Sequence, residues 1–178
     1  IENITEFEST SVFYAVRNRA QFKNKKIVIA GGGDSAVDWA NSLAEIAAHI
    51  TLLHRRDKFR AAQSSLDKLA ENKASGKVEI ITPAQLHALH GENKLLQKIT
   101  ISDLDGNTAE IEADILLPFF GLATDLGPVA NWGLNLDHHH IKTDQATSST
   151  NTQGIYAIGD IATYPHKLKL ILTGFAEA

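Results

Sequence analysis

The 178-residue chain contains no cysteine and no methionine. Without cysteine it has no disulfide framework, no thiolate metal site and no redox-active thiol pair, which is compatible with a cytoplasmic location. The missing methionine extends to position 1, and residues 174–178 stop without a turn or cap signal. The chain is therefore expected to be a piece of a longer polypeptide, cut at both ends. No apolar run approaches the roughly 20 residues of a membrane span, and no signal-peptide pattern opens the chain. An excess of basic residues is also lacking: 17 Lys and Arg stand against 21 Asp and Glu, and a net charge of −4 argues against generic nucleic-acid binding. Apolar residues make up 43% and charged residues 21%, the balance of a soluble protein able to build an ample core.

The most informative stretch present is Ile27-Val28-Ile29-Ala30-Gly31-Gly32-Gly33-Asp34-Ser35-Ala36. An apolar run ends in three glycines, and an amphipathic segment follows. This order predicts a strand, a tight turn and a helix N-terminus, the context that turns a G-x-G-x-x-G/A match into a dinucleotide phosphate site. Backbone at the glycines can approach a pyrophosphate, and the first helical N–H groups and the helix dipole stabilise its charge. Ala36 is small enough for helix–strand packing. Asp34 and Ser35 can also cap the helix, which is their plainer structural role. About 20 residues on, where an NAD site places an acid on the ribose, stand His54, Arg55 and Arg56, with Arg60 following. Guanidiniums there suit a phosphorylated ribose, so NADP(H) is the expected guest. The plainer alternative is a solvated basic helix start with Asp57 as counter-charge.

Hydrophobic patterning predicts helices over 11–20, 34–48 and 59–73, and strands over 26–30, 50–54 and 78–81. Three short alternating segments, 86–90, 95–102 and 108–112, read as an antiparallel meander inserted as a crossover. Residues 115–120 return as a buried strand, 121–136 form a Gly/Asn/Pro-rich loop or hinge, and 140–143 and 155–158 are short strands. The fold class is α/β, a doubly wound parallel sheet of the Rossmann type with a meander crossover and a partial second domain. His138-His139-His140 invites a metal reading, but strand neighbours point to opposite faces and no carboxylate or Cys cluster supports them, so no metal site is expected. Ile155-Tyr156-Ala157-Ile158-Gly159-Asp160 ends a strand in an acid able to accept ribose or ribityl hydroxyls, although Gly-Asp alone is a common turn.

In this order the Gly31–Ala36 motif, His54-Arg55-Arg56 with Arg60, the strand into Phe120-Gly121, and Thr152 with Ile155-Tyr156-Ala157 and Gly159-Asp160 resemble the thioredoxin-reductase-like flavoproteins over nearly the whole chain. The resemblance implies that Gly31, Gly32, Gly33, Asp34 and Ser35 hold the NADPH pyrophosphate. It implies further that Arg55, Arg56 and Arg60, beside His54, bind the adenosine phosphate. Gly159 and Asp160 match the second flavin motif, and Gly121 joins the cofactor-binding set. Low-molecular-weight thioredoxin reductases carry Cys-x-x-Cys where this chain has Tyr14-Ala15-Val16-Arg17, so a disulfide is not the acceptor here. Residues 11–16 and 164–171 are similar to the ferredoxin/flavodoxin–NADP reductases of this fold. That likeness implies hydride transfer between NADPH and FAD, electron passage to ferredoxin or flavodoxin, and a homodimeric intact protein. The chemistry belongs to the cofactors, and no catalytic acid or base is nominated.

The organisation so implied is a linker from a missing FAD domain over 1–9, an NADP-binding domain over 10–127, and an incomplete returning segment of the FAD domain over 128–178. By itself the chain is expected to bind NADPH, to hold FAD poorly or not at all, and to be inactive. Two alternatives stay open: a non-catalytic NADP(H)-sensing module, and a thiol-free relative with a quinone or other small acceptor.

Overall fold

The computed structural model describes residues 1–121 and 125–178, and the chain divides into two units, Ile1–Gly121 and Leu122–Ala178. Unit 1 is built on a four-stranded parallel sheet of order β3-β2-β1-β7, with β1 Lys26–Ala30, β2 His49–Leu53, β3 Val78–Ile81 and β7 Ile115–Pro118. Helices α1 (Asp34–Leu43) and α2 (Gln63–Ala74) form the β1-to-β2 and β2-to-β3 crossovers. Strands β4 (Gln85–Glu92), β5 (Leu95–Ser102) and β6 (Thr108–Glu112) form an antiparallel sheet between β3 and β7, the expected meander.

Side-chain alternation along the central strands explains the three layers. Ile27 and Ile29 face α1 and α2 together with Leu52, Leu117 and Val37. Val28 and Ala30 face the meander with Leu53, Leu116, Leu89 and Ile99. Both faces of the parallel sheet are thus buried, which is why its strands read as continuous apolar runs rather than alternating ones. The helices cover one face and the meander the other.

Three helix expectations change. Residues 11–20 do not form a helix. Ser11 accepts a hydrogen bond from the Leu116 N–H and Phe13 donates one to the Leu116 carbonyl, so Val12 bridges the free edge of β7. Val12 packs into the meander-side core while Phe13 packs on the helix side, which is strand alternation. The open edge of β7 offers these backbone groups partners that a short helix of β-branched and aromatic residues does not match. Tyr14, Ala15 and Arg17 follow as exposed bends, and a 3-10 turn spans Arg19–Phe22. The second change is at α2, which starts at Gln63 rather than at 59, for reasons that belong to the site described below. Helix α1 is also shorter than expected, ending at Leu43 where the backbone tightens through an Ile46 N–H bond to the Leu43 carbonyl.

Residues 1–9, expected as a linker, pack on the meander: Glu2 bridges Ala88 at the edge of β4, and Phe7 is buried.

Unit 2 holds a hairpin of β8 (Leu136–Asp137) and β9 (His140–Lys142), with β10 (Ala162–Thr163) parallel to β9. Its small core is Leu134, Ile141, Ala157 and Ala162. Of the loop expected over 121–136, residues 122–124 lie outside the described residues, and Gly127–Asn131 is a 3-10 turn. The strand expected over 155–158 is reduced to one bridge, Ser149 with Tyr156: among the described residues its ladder bonds are the Thr150 N–H to the Ile155 carbonyl and the Ala157 N–H to the Ser148 carbonyl. A short helix, α3 (Ile171–Glu177), which hydrophobic patterning does not predict, closes the described chain. Among the described residues no helix is long and apolar enough to cross a membrane, and no cluster of three or more His, Cys, Asp or Glu is placed to hold a metal ion.

Candidate functional site

The parallel strands end at one level: Ala30 stands opposite Leu53 and Pro118, and Leu53 opposite Ile81. From β1 the chain order runs one way to β2 and β3 and the other way to β7, so the carboxyl ends of β1 and β7 flank the topological switch point where open α/β sheets bind ligands. The Gly31–Gly33 turn leaves β1 at this place.

The three glycines answer three different demands. A Cβ on Gly31 would overlap the Phe119 carbonyl oxygen and come within 2.9 Å of the Ala36 Cβ, so this residue is small because β7 and α1 close on it. A Cβ on Gly32 would overlap the His54 imidazole. A Cβ on Gly33 would meet nothing nearer than the Arg60 carbonyl at 3.9 Å, so the folded protein leaves its space open. Gly33 is the N-cap of α1, and the first helical bonds run from the Ala36 and Val37 N–H groups to its carbonyl. The N–H groups of Asp34 and Ser35 therefore precede the first intrahelical bond, at the positive end of the helix dipole.

Asp34 does not cap its own helix. Its Oδ1 accepts the Ala62 N–H at 2.8 Å, and Ala62 is the N-cap of α2. The Arg60 N–H donates to the Gly32 carbonyl at 2.6 Å, and Arg60 bridges Gly33. These bonds hold residues 60–62 extended against the glycine turn, which is why α2 begins late. Ser35 is exposed.

His54 leaves the end of β2 and stacks on Phe59, with ring centroids 5.5 Å apart and planes 28° from parallel. Burial pushes its pKa below the usual histidine value, and the charges of Arg55, Arg56 and Arg60 lower it further. The imidazole is a packing element over Gly32, and three exposed guanidinium side chains follow it in the sequence. The positions of Arg55, Arg56 and Arg60 follow from an irregular 54–62 segment tied back to the turn, whereas hydrophobic patterning predicts Arg60 on a helix. Phe59 as a stacking partner and Ala62 as the partner of Asp34 were missed, since neither belongs to a motif.

A cleft of about 320 Å³ adjoins the turn, lined among others by Gly31, Leu53, His54, Arg55 and Phe120. Ala84-Gln85-Leu86 at the start of β4 also line it, and of these sequence patterning marks only Leu86, as meander. Phe120 is 62% exposed there. Gly121, next in the chain, is exposed and left-handed at φ +85°.

Gly159 and Asp160 lie in unit 2, in a 3-10 turn spanning Gly159–Ile161. Gly159 is left-handed at φ +71°, and its N–H donates to Glu177 Oε2 at 2.7 Å. Asp160 is exposed. His138 is exposed and left-handed in the turn of the β8–β9 hairpin, while His140 is half-buried in β9.

A parallel sheet with a glycine turn at the end of its first strand and a meander on one face is the architecture of the Rossmann-like FAD/NAD(P) class. Residues 3–178 match the family described as pyridine nucleotide-disulphide oxidoreductase, and the chain belongs to that family. A ferredoxin–NADP reductase of Rickettsia felis is 58% identical over 178 residues, covering all of this chain and 53% of that protein. One from Paramagnetospirillum magneticum is 54% identical over 178 residues, with the same coverage of 100% and 53%. The chain spans about half the length of the curated relatives it matches. Among solved structures, Lactococcus lactis thioredoxin reductase in its FR conformation superposes with a TM-score of 0.83 at 28% identity, over 99% of this chain and 57% of that one. Thioredoxin reductase of T. acidophilum shares the fold, with a TM-score of 0.83 at 22% identity over the same 99% and 57%.

Proposed function

We propose that unit 1 binds NADP(H), and that the chain is the pyridine-nucleotide portion of a flavin-dependent reductase that passes electrons between NADPH, FAD and a ferredoxin or flavodoxin in the cytoplasm. The observation that carries this reading is the open space at Gly33: a glycine the fold does not require, at the start of a helix, beside a segment bearing three arginines. That space fits a pyrophosphate held by the Asp34 and Ser35 N–H groups. Arg55, Arg56 and Arg60 supply charge for a ribose phosphate. The cleft beside Phe120 is left for the rest of the dinucleotide.

When bound, NADPH and FAD supply the hydride transfer and the one-electron steps. The residues of this chain bind and orient. His54, stacked on Phe59 and lying over Gly32, packs the turn against the segment that carries the arginines. Asp160 offers an exposed carboxylate to flavin-chain hydroxyls, and the Gly159 N–H is already satisfied by Glu177. The lack of thiols over Tyr14-Ala15-Val16-Arg17 favours ferredoxin or flavodoxin over a disulfide as the acceptor. In the whole protein the remainder of the FAD site and a homodimer complete the enzyme.

Calorimetric titration with NADPH and NADH tests the proposal. Arg55→Ala and Arg56→Ala each remove a charge-assisted phosphate contact of about 1.5–3 kcal/mol, a loss of roughly 10- to 150-fold in NADPH affinity. NADH binding is expected to stay within about twofold, because it lacks the phosphate that these contacts hold. Equal losses for both nucleotides refute the phosphate role.

A further inference from the structure

Glu177 and Lys167 form the only ion pair among the described residues with both side chains nearly buried, at 8% and 3% exposure. Lys167 lies in the 164–171 stretch marked in the sequence, and Glu177 belongs to no such motif. The carboxylate collects three donors from distant parts of unit 2. Its Oε2 accepts the Gly159 N–H at 2.7 Å; its Oε1 accepts the Tyr164 hydroxyl at 2.8 Å and the Lys167 ammonium. The same ammonium lies 4.8 Å from the centre of the Tyr164 ring. Charge-assisted bonds of this kind are stronger than neutral ones, and burying the pair without them would be costly.

A second observation puts the backbone of α3 against the same turn. Gly174 lies three residues before Glu177, on one face of α3. A Cβ on Gly174 would stand 3.1 Å from the Gly159 Cα, closer than nearly all real Cβ contacts. Gly159 is therefore gripped twice by that face, by the close approach at Gly174 and by the carboxylate at Glu177. It is also the left-handed residue that sets the direction of the chain into Asp160.

We infer that Glu177 is a positioning residue for Asp160: by capturing the Gly159 N–H, with Lys167 and Tyr164 as its anchors, it fixes the Gly159–Asp160 turn and the direction in which the Asp160 carboxylate is presented. The Gly159 N–H is thereby withheld from any cofactor phosphate, and Asp160 is left as the polar group the turn offers to hydroxyls. What the turn serves rests on the flavin reading above; the clasp itself does not.

The test uses NMR of the 178-residue chain without cofactor. In the wild type, a coupling across the hydrogen bond between the Gly159 amide nitrogen and the Glu177 Cδ is expected, and its absence overturns the proposal. Glu177→Ala is expected to quicken Gly159 amide exchange by about tenfold or more and to shift the Asp160 resonances. The Lys142 amide of β9 is expected to keep its protection. Glu177→Gln, which retains an acceptor, is expected to restore the Asp160 signature. Unmoved Asp160 resonances in folded Glu177→Ala overturn the positioning role. If Glu177→Ala unfolds the unit and Lys142 also loses protection, the wild-type coupling and the Glu177→Gln signature decide instead. Titration of FAD into the full-length protein and its Asp160→Asn variant addresses the flavin reading separately. No effect of Asp160→Asn there, with the coupling present, removes the flavin role and leaves the clasp.

Discussion

Alanine at Gly33 and alanine at Gly31 separate a glycine kept for a ligand from a glycine kept for the fold. Gly33 has φ −99° and ψ −177°, an extended conformation that an L-residue adopts freely, and a methyl group there meets nothing nearer than 3.9 Å. Removing a glycine restricts the unfolded chain and stabilises by about 0.4–1 kcal/mol. Losing the N-cap preference of glycine over alanine costs about 0.5–1 kcal/mol. The two offset, so Gly33→Ala is expected to change stability by less than about 0.5 kcal/mol. Its methyl group would nevertheless separate a pyrophosphate from the Asp34 and Ser35 N–H groups. Two weakened bonds to a charged group amount to about 3 kcal/mol, more than 100-fold in NADPH affinity. Gly31→Ala should do the opposite. Its Cβ overlaps the Phe119 carbonyl oxygen, and overpacking of that kind costs about 1–3 kcal/mol, or roughly 4–8 °C in Tm for about 2 kcal/mol. Thermal unfolding and NADPH titration of both variants provide the assay. Wild-type NADPH affinity in Gly33→Ala refutes the placement of the pyrophosphate, and a stable Gly31→Ala refutes the packing argument.

Gly32→Ala is expected to drive His54 off Phe59 and to destabilise the chain by about 1–2 kcal/mol, the stacking contribution plus part of the ring's burial. In a His54→Ala background the same change should cost almost nothing, and urea unfolding of the four-member cycle measures the coupling; additive effects would remove the His54 explanation for Gly32. Glu177 is held at about 2, below the usual carboxylate value of 4.5, first by the Lys167 ammonium and then by the Gly159 N–H and the Tyr164 hydroxyl. A folded-state pKa lowered in this way contributes stability that is present above the unfolded value, about 4.5, and is lost as pH falls toward 2. The urea midpoint of unit 2 should therefore fall over that window in the wild type and fall less in Glu177→Gln; parallel pH profiles contradict the assignment. High salt should weaken NADPH binding more than NADH binding if exposed Arg55, Arg56 and Arg60 supply the phosphate contacts, since screening acts on exposed charges; equal salt slopes count against it.

Local pattern alone determined most of unit 1. Continuous apolar runs marked the parallel strands, since burial on both faces removes alternation, and the alternating 95–102 and 108–112 segments marked strands β5 and β6 at their observed bounds. The glycines of the turn and the arginines after β2 are read directly, because turn geometry and charge are properties of the residues themselves. Tertiary structure decided whatever depended on a distant partner. Residues 11–13 join the edge of β7 because Leu116 offers them backbone bonds, and no local signal records that edge. Helix α2 starts late because Asp34 and the Gly32 carbonyl claim the N–H groups of Ala62 and Arg60. Only the fold distinguishes the three adjacent glycines, by what stands over each: a carbonyl, an imidazole, or open space. The clasp of Glu177 on Gly159 is likewise invisible in the sequence, since its donors lie 10, 13 and 18 residues away and belong together only once unit 2 has folded. Periodicity and residue chemistry act over a few residues and so can be read along the chain, whereas hydrogen-bond satisfaction and steric closure are settled between segments the chain brings together.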